Sequence, residues 1–437
     1  MQPMQPIQLS VFSEIHRLQQ VVVHRPGPEV DLMVPAMMEK LLFDDILFGD
    51  HARVEHDQFR QVLARVADEV LDVQDLLQES LADEAVKLGF IDDLQRLVDL
   101  PEETCALLRD FSASELGASV ISGIPWPDMA HHMHWMREFE YRLRPIPNLL
   151  FMRDPASVVG DGYSVNAMAT IAREREPLIL SYIFQHHPRL RHLTSQDKWF
   201  DQVTPLLRGE IKMPMSLEGG DILVLSDKVL AVGCSERSST DAIHHLAENL
   251  RTHHQEDGNS FEHLLMVLMP NKRSAMHLDT IFTHINHQEC LVYPPYFTDG
   301  SRELLNVVKI DLRHAELRFT TQPNLLAALK DVGIELKPIF CGGDDYIMQQ
   351  REQWTDGANA FALAPGVIVS YSRNMATAEQ LSNHGYEVLT AQELLDDAAV
   401  DLLDGRKYLI LLKSGELSRA RGGPRCMTMP LSRVEAS

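Results

Sequence analysis

The stretch ASVVGDGYSVNAMATIARERE (residues 156–176) reads as an apolar strand, a tight turn at Gly160-Asp161-Gly162, a second apolar strand, and a loop carrying Arg173 towards a helix. The same rhythm returns in DILVLSDKVLAVGCSERSSTDAI (221–243), which turns at Ser226-Asp227-Lys228, and in NAFALAPGVIVSYSRNMATAEQL (359–381), which turns at Ala364-Pro365-Gly366. A looser copy is DTIFTHINHQECLVYP (279–294), and LQQVVVHRPG (18–27), with its short run Val21 to Val23, begins a fifth. A strand-turn-strand-helix unit cannot bury both faces alone, so a set of them is expected to pack round a common axis. The fold class this predicts is α/β.

Outside the repeats the texture changes. From about Asp75 to Arg144 the helical period dominates: Ile91, Leu94, Leu97 and Val98 share a face. Pro101 with Glu102 and Glu103 suits a first helical turn, and Ser112 and Glu115 have capping-box spacing. We read 75–144 as a helical insertion without chemistry of its own, ended by the proline-rich RPIPNLL, in a main α/β domain made of 1–74 and 145–437. Phe59, Val62, Leu63 and Val66 mark one face of an earlier helix.

The composition of the 437 residues, 45% hydrophobic and 24% charged, is that of a globular chain with a large core. A net charge of −23 argues against a general nucleic-acid binder and suits a small cationic substrate. No apolar run approaches a membrane span, and the first twenty residues lack a basic segment followed by an apolar one. The five cysteines, Cys105, Cys234, Cys290, Cys341 and Cys426, form no CxxC pair, so a reducing cytoplasm is expected. Neither a GxxxxGK[ST] loop nor a GxGxxG turn follows a strand, which leaves nucleotide cofactors without a cradle. HHMH (His131, His132, His134) has no partner ligands at a familiar spacing, and no metal is expected there.

Chemistry collects near the C-terminus and at the strand ends. RARGGPRCM (419–427) sets Cys426 among three arginines, surroundings that suit a nucleophilic thiol better than a structural one, although a basic loop with an incidental thiol reads the same way. The repeats bring NLLFMRDP (Asn148, Arg153, Asp154), LEGGD (Glu218, Asp221), MHLDT (His277, Asp279) and Arg421 to positions that a pseudo-symmetric ring would converge on one centre. Cys, His and several carboxylates fit nucleophilic catalysis on a cation. Singly each has a plain structural role: Asp154 and Asp221 as turn caps, Glu218 as a surface ion pair, His277 as a satisfied loop histidine.

Taken in order, VVVHRPGPEV, LLFDDILFGDHARVEHDQF, NLLFMRDP, LEGGDILVL, GCSERSS, MHLDTIFT, REQWTDGANAFALAPG and RARGGPRCM resemble the arginine deiminase family of the guanidine-modifying enzymes, over nearly the whole chain. The resemblance implies a five-fold pseudo-symmetric α/β propeller (pentein type) with a helical insertion, and hydrolysis of L-arginine to L-citrulline and ammonia in arginine catabolism, through a covalent Cys thiouronium and without metal or other cofactor. It implies Cys426 as nucleophile, His277 as acid/base, Asp154 and Asp279 as the grip on the guanidinium, and Glu218 as their support. Asn148, Arg173 and Arg237 match the positions that hold the amino-acid end, and Arg421 a mobile arginine beside the thiol. A cytoplasmic homo-oligomer, dimer or tetramer, is the expected state.

Four positions depart from the family's usual pattern: Met152 in place of threonine, Cys234 in place of an aliphatic residue or methionine, and His284 and His287 in the turn after HLDTIFT. Rival readings are an agmatine deiminase, a methylarginine hydrolase, an amidinotransferase, or a silent arginine-binding protein on the same fold. Arg173 and Arg237 favour a substrate with a free carboxylate. For the thiol, Arg421 and Arg425 pull its pKa down while Asp154, Asp279 and Glu218 push it up. We expect the carboxylates to win in the empty site, with His277 already protonated.

Overall fold

Each strand-turn-strand unit folds as an antiparallel pair whose second strand takes a parallel partner from further along the chain. Ala156–Val159 pairs with Gly162–Val165, which runs parallel to Lys198–Asp201 once helix Arg175–His186 has crossed over. Ile222–Val224, Val229–Cys234 and His263–Leu268 repeat this around helix Thr240–Glu256, and their sheet is widened by Val307–Asp311 and Arg318–Gln322. Phe282–Asn286, Glu289–Val292 and Lys337–Phe340 form the third unit. Phe361–Ala364, Val367–Tyr371 and Lys407–Leu412, flanked by Tyr386–Thr390, form the fourth.

The fifth unit is assembled from the two chain ends. Leu18–Val23 runs antiparallel to Met429–Arg433 and parallel to Glu69–Asp72, so the strand from Val21 does belong to a fifth copy, whose first strand comes last in sequence. The result is a five-bladed α/β propeller of the pentein type. The computed structural model describes residues 5–126, 141–256, 260–298, 300–301 and 303–434; the HHMH stretch lies outside them. First and second strands such as 156–159, 162–165, 361–364 and 367–371 are buried at every residue, as expected of strands covered on both faces.

Helices Val73–Ser80, Glu84–Val98, Glu102–Asp110 and Ala113–Ser122 lie between the fifth and first blades in sequence, followed by a small hairpin of Ile124–Pro125 with Tyr141–Leu143. Ser112 and Glu115 make both bonds of the capping box, and Ile91 and Leu94 are buried. Pro101 sits at the N-cap, one residue ahead of the first turn that Glu102 and Glu103 occupy. Leu77, Phe90 and Leu116 share one apolar cluster with Ile179 and Phe184 of the first blade's helix. Among the described residues no helix is long and apolar enough to cross a membrane.

Short 3-10 turns stand before the first strands of four blades: Pro147–Leu150, Gly219–Asp221, Leu278–Thr280 and Leu417–Ala420. Asn148, Asp221 and Asp279 lie within these turns, and Glu218, His277 and Arg421 stand at their caps.

Candidate active site

Cys426 lies in the loop between the 3-10 turn Leu417–Ala420 and strand Met429–Arg433, and only 5% of it is exposed. Its neighbour Arg425 is wholly buried. The guanidinium forks onto Glu14, with Nε to Oε2 at 3.0 Å and Nη2 to Oε1 at 2.9 Å, and Nη1 donates to Asp279 Oδ2 at 2.8 Å. This charge is therefore committed to Glu14 and Asp279. Asn359 holds Cys426 from the other side: Oδ1 accepts from the backbone N–H of Arg425 (3.1 Å) and Cys426 (3.3 Å), while Nδ2 donates to Asp279 O at 3.0 Å and faces Cys426 Sγ at 3.2 Å.

Neither Glu14 nor Asn359 was among the sequence candidates. Glu14 stands in a segment without repeat or motif, and no sequence signal points to it. Asn359 had a signal. Asp154, Asp279 and Cys426 each sit two or three residues before their blade's first strand, and Asn359 holds that same place before Phe361–Ala364.

LEGGD packs against the histidine. A side chain on Gly220 would collide with the His277 ring, and one on Gly219 with the carbonyl of Arg153, so only glycine lets these loops touch. His277 Nε2 lies 2.8 Å from Glu218 Oε2, and Nδ1 lies 3.8 Å from Asp154 Oδ1. Burial works against a proton on this ring, yet the charges of Asp154, Asp221 and Glu218 and the hydrogen bond to Glu218 outweigh it and raise His277 to about 9. Burial likewise opposes charge on Glu218, and His277, Arg237 and Arg173 overcome it and hold the carboxyl low. Asp221 is a supporting group: it accepts from Ser235 and Ser238 Oγ (both 2.7 Å) and from the Leu278 N–H (2.9 Å).

Asp154, Glu218 and His277 present ligand atoms within 4.8 Å of one another, a metal-like spacing. The same carboxylates raise His277 to about 9 and so favour a proton on its ring, which a metal would have to displace.

The amino-acid-end candidates divide. Asn148, Arg173, Arg237 and Arg421 all line a cavity of about 40 Å³ with Asp154, His277 and Cys426. Asn148 Nδ2 donates to Leu41 O at 2.5 Å. Arg173 is engaged on Asp154 (Nη1 to Oδ2, 2.6 Å) and on Glu176 (Nη2 to Oε2, 2.7 Å; Nε to both oxygens, 3.0 Å). In this arrangement it fixes the Asp154 carboxylate and leaves little of its own guanidinium for a ligand. Arg237 makes one long contact, Nη1 to Glu218 Oε1 at 3.8 Å. Arg421 has left-handed backbone (φ 66°) and stacks on Trp354 with its guanidinium carbon 3.3 Å from the ring centre, while Nε and Nη1 are buried without partners.

The thiol is held in its neutral form. Burial pushes the Cys426 pKa well above its ordinary value, and Asp279, Asp154 and Asp356 add to the push. Asp279 Oδ2 is 3.7 Å from Sγ. The expected direction is what the structure has, with burial as the larger cause and with Arg425 turned away onto carboxylates.

Comparison with known proteins bears on this arrangement. A family model described as arginine deiminase matches residues 39–433. The chain belongs to the arginine deiminase family. The arginine deiminase of Bacillus cereus (strain B4264) is 37% identical over 443 residues, 98% of this chain and 99% of that protein. The arginine deiminase of Latilactobacillus sakei is 35% identical over 439 residues, covering 97% and 98%. Among solved structures, the product-bound N-terminal domain of ArgZ, an arginine dihydrolase from the ornithine-ammonia cycle in cyanobacteria, superposes with a TM-score of 0.50 at 13% identity over 95% of this chain and 97% of that one, a likeness of fold.

For a member of the arginine deiminase family, none of the four departures lines the cavity that holds Cys426. Met152 is fully buried in the apolar cluster. Cys234 ends a strand, its Sγ 3.4 Å from Thr240 Oγ1. His284 and His287 line a different cavity, with Phe12 and His16.

Proposed function

We propose that this chain is an arginine deiminase, a hydrolase of a C–N bond in a linear amidine, which converts L-arginine to L-citrulline and ammonia. The observation that carries the reading is that Cys426, His277 and Asp154 line one cavity, with Glu218 2.8 Å from His277 and Asp279 Oδ2 3.7 Å from Sγ. A planar, permanently charged guanidinium is matched by carboxylates that accept its paired N–H groups, here Asp154 and Asp279. Resonance makes its carbon a poor electrophile, so the gain comes from holding that carbon against a nucleophile and splitting the reaction in two.

On binding of the cation the Cys426 thiol loses its proton to the medium; the thiolate adds to the guanidinium carbon, and the adduct takes a proton from His277 as the C–N bond breaks and ammonia leaves. This gives a thiouronium bonded to Sγ, with His277 neutral. Water then adds to the same carbon and gives His277 a proton. Collapse breaks the C–S bond, releases citrulline, and the remaining hydroxyl proton goes to the medium or to the thiolate. Glu218 steadies the imidazolium in both halves. Arg237 and Arg421 take the α-carboxylate, while Arg173 acts first through Asp154. No cofactor enters these steps.

The same reading keeps the helical insertion (75–144) separate from the catalytic propeller. It assigns the protein to arginine catabolism in a reducing cytoplasm, supported by its five unpaired cysteines, and to a homo-oligomer that light scattering would size. The test is product analysis. Purified protein with L-arginine should release citrulline and ammonia in equal amounts without added metal, and Cys426→Ala and Cys426→Ser should release almost none. Activity retained in either variant would remove Cys426 from its role.

A further inference from the structure

The cavity contains a buried carboxylate that the mechanism above does not use. Asp356 lies between helix Tyr346–Trp354 and strand Phe361–Ala364, is 3% exposed, and lines the cavity with Arg237, Arg421 and Cys426. Its Oδ2 is buried without a hydrogen-bond partner, a costly state for a carboxylate oxygen. Burial pushes its carboxyl up to about 7 against the pull of Arg421 and Arg373, so the group is short of donors. Its backbone is left-handed, φ 60°, at a position after a helix where glycine is the unstrained residue, and Gly357 stands one place further on. The strained position carries the carboxylate instead.

Arg421 is the complementary case. It attracts Asp356 electrostatically, yet its Nε and Nη1 are also buried and without partners, so the two side chains do not bond through these atoms. A cation with unfilled N–H donors and an anion with an unfilled acceptor thus line one cavity, while on this reading the guanidinium already has Asp154 and Asp279. A free α-amino acid carries a carboxylate and an ammonium on the same carbon and fits between such a pair. Resting on the arginine deiminase reading, we propose that Asp356 accepts a hydrogen bond from the α-ammonium of L-arginine beside the carboxylate held by Arg421. This makes it a specificity-determining residue for the free amino acid.

The experiment compares L-arginine with 5-guanidinopentanoate, the same chain lacking the α-amino group, on wild-type protein and on Asp356→Asn and Asp356→Ala. For L-arginine kcat/KM should fall roughly 10- to 100-fold, the range for a hydrogen bond to a charged group, whereas for 5-guanidinopentanoate it should change less than about 3-fold. Equal losses on both, with or without a lowered titration of the Cys426 thiol, would make Asp356 a structural or electrostatic residue and overturn the proposal, as would no loss at all. If both variants fail to fold, the wild type decides: comparable kcat/KM for the two compounds refutes the ammonium contact, and a strong preference for L-arginine supports it. Calorimetric binding of the two compounds to Cys426→Ala protein reads the same difference without turnover. Failure of wild-type protein to release citrulline would count against the deiminase reading alone.

Discussion

Glu14→Gln is the sharpest test of how the nucleophile loop is held. The substitution keeps the shape of the side chain and removes its charge from a region where Arg425, Arg153 and Arg433 are all buried. Burial works to raise the Glu14 carboxyl, yet the charges of Arg425, Arg153 and Arg433 and the fork from Arg425 bring it from 4.5 down to about 2. At about 1.4 kcal/mol per decade, that difference corresponds to about 3 kcal/mol of folded-state preference for the ionised form. It agrees with the roughly 3–5 kcal/mol lost when one partner of a buried ion pair is removed, and it is a large part of the ~5–15 kcal/mol that keeps a typical domain folded. Because the folded pKa is depressed, the contribution is complete above pH 4.5 and is lost as pH falls through about 2. Urea unfolding at pH 7 should therefore show Glu14→Gln destabilised by about 3 kcal/mol, and the gap should narrow by under about 1 kcal/mol at pH 4. Turnover should fall too, since Arg425 holds Asp279 through its side chain and Cys426 through the next peptide bond. A loss below about 1 kcal/mol at pH 7 would show that the pair behaves like an exposed one and that the loop is held by other contacts.

Arg237→Ala should cost L-arginine about 2–5 kcal/mol in kcat/KM relative to agmatine, whereas Arg173→Ala, which leaves Asp154 and Glu176 without their cation, should depress both substrates together. A loss confined to L-arginine in Arg173→Ala would show that this side chain leaves Asp154 to meet the carboxylate. Ultraviolet titration of the ligand-free protein should place the Cys426 midpoint above the ordinary thiol value of about 8.5, and a cationic amidine alkylator should outpace its neutral amide counterpart. A midpoint below it would mean that Arg421 and Arg425 dominate. The alkaline limb of kcat/KM should reflect loss of the His277 proton as pH rises through about 9, and Glu218→Gln should move that limb towards acid, because a carboxylate that favours the proton is gone. An unmoved limb would assign the titration to another group.

The propeller was legible because its signal is local and repeated. Two apolar runs across a tight turn mark each antiparallel pair, and three copies such as 156–176, 221–243 and 359–381 suffice to reveal the unit. The parallel third strands, Lys198–Asp201, Lys337–Phe340 and Lys407–Leu412, carry no comparable mark, since their partners are chosen by packing across crossover helices. The permuted fifth blade joins residues about four hundred apart, a pairing no periodicity exposes. In the site, residues on motifs such as LEGGD and MHLDT could be named, but how they are engaged could not. Arg173 reads as a free cation in sequence, and only the fold shows Asp154 and Glu176 on it. Glu14 is the opposite case, a carboxylate in an unremarked N-terminal segment that acquires meaning when the chain ends meet. Asn359 lay within reach, because the place two or three residues before the first strand that holds Asp154, Asp279 and Cys426 in their blades is held by Asn359 in the fourth, whereas Asp356, five residues before that strand, is not marked this way.

The balance of forces on Sγ decides when the nucleophile forms. A negative charge on Asp279 Oδ2, 3.7 Å from Sγ, opposes the thiolate by about 4 kcal/mol at an effective dielectric of about 20. Asn359 Nδ2, the donor facing Sγ, returns roughly 1.5–3 kcal/mol if the sulfur ionises. Asp154 and Asp356 add to the opposition, and Arg425, paired with Glu14 and Asp279, offsets part of the Asp279 charge but makes no contact with the sulfur itself. Burial and these carboxylates together therefore outweigh the stabilisation in the substrate-free protein, and the thiol keeps its proton. A bound guanidinium reverses the sum, because a cation between Asp154 and Asp279 neutralises the charges that oppose ionisation and brings the electrophilic carbon to the sulfur. The substrate then supplies both the target and the condition for attack, and a neutral molecule in the same cavity supplies neither, which is why the thiol's reactivity should follow the charge of the reagent more closely than its size.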